Sequence, residues 1–141
     1  MVVFKELTTK QEFLDAYKVM HELRTHLDED GYLELLEPML KEGYRMLVAV
    51  EENEIVAATG IIQLTNFYNG KHIYVYDLVT AEAHRSKGYG EKLLSHIHTL
   101  AVQEGCSSVA LSSGLQRKDA HRFYEEKMGY LKTSYAFVKN L

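Results

Sequence analysis

The chain has 141 residues, of which 46% are hydrophobic and 26% are charged, and its formal net charge is −4. That length is typical of one domain with its own core, so we expect a single domain over residues 1–141. The negative charge argues against nucleic acid as a partner, and the absence of a long apolar run argues against a membrane. A single cysteine excludes an internal disulfide, and the lack of a signal-peptide pattern predicts a cytoplasmic protein.

The first part of the chain predicts one strand and two helices. Residues 2–7 read as a strand, and Thr9 and Glu12 form a capping box in which each side chain satisfies the backbone N–H of the other. Apolar residues at helical spacing follow and recur over residues 32–40. Gly43 is expected to end the second helix.

The middle of the chain then changes to strands. Residues 46–50, 55–65 and 73–80 are rich in β-branched and aromatic side chains, and Asn69-Gly70 indicates a hairpin turn before the last of them. We expect three antiparallel strands here.

Helices and short strands alternate in the last third. Helical spacing covers residues 89–103 and 117–127, and short strands are expected at residues 108–112 and 131–138. The whole order is that of an α+β fold with one strand-helix-strand crossover in its second half.

The strongest chemical signal is the segment Arg85-Ser86-Lys87-Gly88-Tyr89-Gly90, between a predicted strand and a predicted helix. The start of a helix leaves several N–H groups unpaired, and glycine lets a phosphate approach the backbone, so the segment indicates an anion site. A dinucleotide fingerprint would need a third glycine where the chain has Leu93, and a Walker A loop would need Lys-Ser or Lys-Thr after Gly90. Taken alone, the pattern also fits an ordinary turn.

A second segment, Ala120-His121-Arg122-Phe123-Tyr124, places a small residue four positions before a tyrosine and leads to Gly129-Tyr130. Together with Asp77-Leu78-Val79-Thr80 and the Arg85 to Gly90 loop, it resembles the GNAT superfamily of acyl-CoA-dependent N-acetyltransferases over residues 46–138. The resemblance implies a mixed, mostly antiparallel sheet of six to seven strands flanked by about four helices. A splayed pair of parallel strands would hold the acyl-CoA.

The resemblance also implies a reaction: transfer of an acetyl group from acetyl-CoA to a primary amine of a small molecule or protein, by direct attack in a ternary complex and without a metal. The expected acyl-CoA contacts fall in three groups. The pantetheine arm would meet the backbone of Leu78, Val79 and Thr80, the pyrophosphate would meet Arg85, Ser86, Lys87, Gly88, Tyr89 and Gly90, and the last helix would add Arg117, Ala120, Phe123 and Tyr124.

Three residues are expected to carry the chemistry. The N–H of Val79 would stabilise the oxyanion, and Tyr124 would protonate the departing thiolate, although a purely structural tyrosine is the alternative. Strand parity places Asp77 on the face of Val75 and Val79. Its carboxylate could deprotonate the amine through water, bind the substrate ammonium, or serve a structural role; some relatives carry the acid one position earlier, where this chain has Tyr76.

Other points stay open in the sequence. Arg117 stands where many relatives have asparagine, and it could reach a phosphate or lie in solvent. A non-catalytic acyl-CoA sensor is the alternative function, and a proton donor at position 124 would distinguish the enzyme from it. The acceptor would be shaped by residues 10–43 and 66–70, which show no readable motif, and homodimers are frequent among relatives.

Overall fold

A five-stranded sheet organises the fold, with its strands in the order β1-β2-β3-β4-β5. The strands are β1 (Val3–Glu6), β2 (Arg45–Glu51), β3 (Glu54–Asn66), β4 (Gly70–Thr80) and β5 (Ser108–Leu111). Strands β1 to β4 pair as antiparallel neighbours. Beside β5, the N–H of Ser107 donates to the carbonyl of Lys71 at 2.8 Å, so β5 and β4 begin side by side and run parallel.

The computed structural model describes residues 1–141 and contains two compact units, residues 1–110 and 111–141. The first unit carries the helices α1 (Lys10–Leu23), α2 (Glu29–Lys41) and α3 (Tyr89–Gln103). The second carries α4 (Lys118–Arg122), which continues as a π-helical turn over Phe123–Lys127. None of the helices combines the length and the apolar character needed to cross a membrane.

Helices cover both faces of the sheet. Val48 packs in a cluster with residues of α1 and α2, whereas Ala49 packs with Leu93 of α3. Because neighbouring residues of a strand point to opposite faces, α1 and α2 lie on one face and α3 on the other. This α+β architecture confirms the expected fold class.

The start of α1 is the capping box expected from the sequence. The N–H of Glu12 donates to the hydroxyl of Thr9 at 3.2 Å, and the N–H of Thr9 donates to the Glu12 carboxylate at 3.0 Å. The adjacent N–H of Thr8 donates to the same carboxylate oxygen at 2.8 Å. Lys5 and these N–H groups lower the pKa of Glu12 to about 2, since each favours the ionised carboxylate.

The predicted strand at residues 131–138 is wrong, so the sheet has five strands rather than six or seven. Leu131, Tyr135, Phe137 and Val138 are exposed there. The sequence has strand propensity, but a strand forms only where a neighbouring strand accepts its hydrogen bonds.

Candidate active site

The loop after β4 has the backbone of an anion site. Ser86 and Gly88 adopt left-handed conformations, with φ of 67° and 83°. This conformation is uncommon for serine, whereas glycine adopts it without steric strain. Strained residues of this kind cluster at functional sites. No side chain caps the first turn of α3, which begins at Tyr89. The start of this helix therefore presents its N–H dipoles to whatever binds beside the loop.

Acidic side chains from two other elements hold this loop in place. The N–H of Glu82 donates to the Glu22 carboxylate at 2.7 Å, and the Arg85 guanidinium lies 3.8 Å from the same oxygen. His84 pairs with Glu54 at 3.0 Å. The side chain of Arg85 remains 57% exposed, so its charge is available to an anion at the loop.

Strand β4 runs well beyond the end of β5. β4 has 11 residues and β5 has 4, and both strands begin at the same end of the sheet, next to Lys71 and Ser107. At about 3.3 Å per residue, β5 covers roughly 13 Å of a strand of roughly 36 Å. The outer edge of β4 therefore continues beyond β5 through Leu78 and Thr80.

Hydrogen-bond parity determines which backbone N–H groups face that outer edge. The N–H of Ala81, just after β4, donates to the carbonyl of Val56 in β3 at 2.9 Å. The β3–β4 register is regular over this stretch, and residues of an antiparallel ladder bond a given neighbour alternately. The N–H of Val79 consequently faces β3. Those of Leu78 and Thr80 face the outer edge.

A β-bulge interrupts β4 before these residues. The register shifts between Gly60 and Ile61 of β3, which leaves Tyr76 as an extra residue of β4. The ring of Tyr76 stacks on Tyr44 with centroids 5.9 Å apart, and the Tyr44 hydroxyl donates to Oδ2 of Asp77 at 2.7 Å. Two consecutive residues thus point to one face, which a regular strand does not allow.

The bulge places Asp77 on a different face of the sheet from the one that strand parity predicted. Tyr74 and Tyr76 contact each other, with ring centroids 5.6 Å apart, so both lie on the face of Tyr44. Val75 between them faces the other side. Asp77 therefore does not share the face of Val75, because the extra residue reverses the alternation.

Both carboxylate oxygens of Asp77 are occupied by protein donors. Arg24, at the end of α1, donates from Nε to Oδ1 at 2.9 Å, and Tyr44 donates to Oδ2. Burial and the charge of Asp77 hold the pKa of Tyr44 well above its ordinary value, so this hydroxyl stays protonated and remains a donor. Asp77 itself is only 8% exposed. The arrangement favours the structural role among the three that the sequence left open.

Tyr124 lies in the second unit, at the start of the π-helical turn. It is 8% exposed, and its ring packs against Phe123 and Tyr130 with centroids 5.4 Å and 5.8 Å away. Burial raises the pKa of Tyr124, whereas the charge of Arg117 and a hydrogen bond from its side chain lower it. Arg117 is thus half-buried against a phenol rather than free in solvent.

Residues 9–130 match the sequence profile of the acetyltransferase (GNAT) family. The chain belongs to this family. It is therefore an acyl-CoA-dependent acetyltransferase, with acetyl-CoA as its co-substrate.

The chain is similar to several acetyltransferases and to solved structures of this fold. It is 45% identical over 140 residues to the uncharacterized N-acetyltransferase YhdJ of Bacillus subtilis strain 168, covering 99% of each chain. It is 29% identical to the aminoalkylphosphonate N-acetyltransferase of Salmonella typhimurium strain LT2, covering 94% of this chain and 88% of that one. The fold matches AAC(6')-Iy, solved with the bisubstrate analogue CoA-S-monomethyl-acetylneamine, with a TM-score of 0.84 at 12% identity, covering 100% and 98% of the two chains.

The residues that the GNAT resemblance predicted for the site fall in both compact units. The first unit brings the outer edge of β4 to the loop of Arg85 to Gly90, since β4 ends at Thr80 and α3 begins at Tyr89. The second unit gathers a smaller group: Ala120 and Phe123 are half-buried, and Arg117 contacts Tyr124.

Sequence reasoning about this GNAT domain missed Arg24, Tyr44 and Gly60. Arg24 looked like an ordinary basic residue at the end of a helix, and Tyr44 like one core aromatic among many. Gly60 carried a readable signal, because a glycine inside an apolar strand often marks a bulge or a close approach.

Proposed function

We propose that the protein transfers the acetyl group of acetyl-CoA to a primary amine of a small molecule or protein, by direct attack in a ternary complex. The observation that carries this proposal is the pairing of an outer strand edge, at Leu78 and Thr80, with the uncapped start of α3. The strand edge suits the amide groups of a pantetheine arm, and the helix start suits a pyrophosphate.

The pyrophosphate subsite consists of the loop from Arg85 to Gly90. Left-handed Ser86 and Gly88 turn the chain so that successive N–H groups can converge on an anion, and the exposed Arg85 and Lys87 add charge. Glu22 and Glu54 hold the loop through its neighbouring residues, so little conformational entropy is lost when the anion binds.

The oxyanion donor in this proposal is the N–H of Leu78, with Thr80 next along the same edge. The earlier expectation named Val79, but ladder parity directs the Val79 N–H into the pair with β3. When the amine attacks the thioester carbonyl, negative charge develops on oxygen, and a fixed N–H donor stabilises that charge.

Tyr124 supplies the proton that the departing thiolate of CoA needs. Its raised pKa keeps the phenol protonated at neutral pH, so the donor form is the resting form. Arg117 opposes part of that rise, because its charge and hydrogen bond stabilise the phenolate left after proton transfer. Ala120 and Phe123 line the same helical segment.

A panel of amines with acetyl-CoA, followed by thiol release, tests the activity. The panel should include an aminoalkylphosphonate, since a relative is named for that acceptor, and a lysine-containing peptide. We expect intersecting initial-velocity lines for the two substrates. Parallel lines would show an acetyl-enzyme intermediate and contradict the ternary complex, and CoA binding without any transfer would favour the sensor function.

Tyr124→Phe tests the general acid, and Tyr130→Phe is its matched control in the same aromatic cluster. We expect the first change to lower kcat about 100-fold, at the low end of general acid catalysis, while the dissociation constant of CoA changes little. The control should keep its kcat. Equal kcat in Tyr124→Phe and the unmodified enzyme would remove the phenol from the mechanism.

A further inference from the structure

We propose that Arg24 and Tyr44 are positioning residues of the acetyl-transfer site, which act by clamping the β4 bulge through Asp77. This inference rests on the proposed function, and it assigns a task to a partly buried cluster that the reaction itself does not use. The cluster consists of Arg24, Tyr44, Gly60, Tyr76 and Asp77, and we call it the bulge clamp.

Two side chains from outside β4 converge on the bulge. Arg24 follows α1 and donates from Nη2 to the carbonyl of Tyr76 at 2.7 Å as well as from Nε to Asp77. Tyr44 precedes β2 and reaches both bulge residues, one by stacking and one by a hydrogen bond. The backbone carbonyl and the carboxylate at the bulge are therefore both held from outside β4.

Gly60 makes the clamp sterically possible. A Cβ on this residue would lie 1.7 Å from Oη of Tyr44 and 2.5 Å from Oδ2 of Asp77. Both are far inside van der Waals contact, so only glycine opposite the bulge lets the tyrosine hydroxyl meet the carboxylate. The hydroxyl of Thr59, next along β3, donates to the carbonyl of Asp77 at 2.7 Å and completes the support.

The bulge determines which N–H groups face the outer edge of β4. One extra residue shifts the alternation by one, so that Leu78 and Thr80 face outward instead of Asp77 and Val79. A bulge that relaxed would turn the proposed oxyanion donor toward β3. The clamp therefore couples the end of α1 to the geometry of the transferring carbonyl, without contact between Arg24 and acetyl-CoA.

The test compares Arg24→Met, which removes both donors and keeps an apolar stem, with Arg24→Lys, which keeps the charge. Lys18→Met is the control, an exposed cation on the same helix. We expect Arg24→Met to lower kcat by about 10-fold to 100-fold, since small displacements of reacting groups have effects of that size. KM for acetyl-CoA should rise by a smaller factor than kcat falls, since the phosphate loop keeps its part of the binding while the pantetheine edge at Leu78 and Thr80 is disturbed. Arg24→Lys should recover part of kcat, and Lys18→Met should keep it.

Amide hydrogen exchange provides a readout independent of activity. In Arg24→Met, exchange should accelerate at Asp77 and Val79, whose N–H groups face β3, and stay unchanged in α3. Unchanged exchange at the bulge would overturn the clamp, whether or not the enzyme is active. Accelerated exchange with an unchanged kcat would overturn the positioning role. If the unmodified enzyme acetylates no amine, the proposed function is rejected, and the exchange result alone decides whether the clamp exists.

Discussion

The substitution Gly60→Ala should be among the most destabilising single-methyl additions in this protein. The added Cβ would lie 1.7 Å from Oη of Tyr44, 2.3 Å from its Cζ and 2.5 Å from Oδ2 of Asp77. Tyr44 is 4% exposed, so its ring has little room to withdraw. Gly60 is paired on both sides, with Met46 of β2 and Asp77 of β4, so the backbone cannot move away either.

The magnitude follows from two contributions. Adding a methyl group to a filled core costs typically about 1–3 kcal/mol. Moving the Tyr44 hydroxyl away would leave one oxygen of the buried Asp77 without its donor, which costs about another 1–3 kcal/mol. We therefore expect a loss of about 4 kcal/mol in the free energy of unfolding, a large part of the roughly 5–15 kcal/mol that holds a domain of this kind together.

Urea unfolding of Gly60→Ala, Tyr44→Ala and the double variant measures this loss and tests its cause. In the Tyr44→Ala background the ring is gone and only the contact with Oδ2 of Asp77 remains, so Gly60→Ala should cost much less than it does in the unmodified protein. A small cost in the unmodified background, or an equal cost in both backgrounds, would refute the reasoning from the close contact.

Three further predictions concern other residues. Glu12→Gln should flatten the acid dependence of stability, because the lowered pKa of about 2 gives Glu12 a contribution that is complete above its ordinary 4.5 and is lost as the pH falls toward 2. Burial lowers the pKa of His98 below its ordinary 6.5, so stability should fall as the pH drops below 6.5, and His98→Gln should remove that part of the dependence. Gly88→Ala should lower the free energy of unfolding by about 1–2 kcal/mol, because alanine is strained at the left-handed φ of 83°. A Cβ there meets no atom within 4 Å, so no steric clash adds to this cost. The change should also weaken CoA binding.

Thermal unfolding from pH 2 to pH 8 checks the two titrations, and calorimetry with CoA checks Gly88. Unfolding curves of Glu12→Gln or His98→Gln that keep the full pH dependence of the unmodified protein would contradict the assigned groups. For Gly88, asparagine is the matched control, because it tolerates the left-handed region and should lose less stability than alanine.

Patterns between near neighbours in the chain predicted most elements and the loop after β4 that we propose binds the pyrophosphate. The capping box at Thr9 and Glu12 formed as expected, and the segment from Arg85 to Gly90 lies at the start of α3. These features depend on side chains and backbone groups within about four residues of each other, so their rules can be applied to a sequence directly.

Features that depend on partners distant in the chain were not predictable in this way. The strand expected at residues 131–138 has the propensity but forms no ladder, and strand propensity has no effect without a neighbour. Asp77 looked like a candidate base because the residues around it in the chain are apolar. Its actual partners, Arg24 and Tyr44, lie 53 and 33 positions away.

The α+β order, the loop from Arg85 to Gly90 and the resemblance to an acyl-CoA-dependent family could all be read from the sequence. The strand pairing was needed to show that β4 carries an extra residue at Tyr76 and that Leu78, rather than Val79, turns its N–H to the open edge. The physical reason is that strand alternation has a period of two, so a single inserted residue reverses every assignment beyond it. Tyr44 packs over Gly60 opposite this residue, and of that contact only the glycine leaves a readable signal in the sequence.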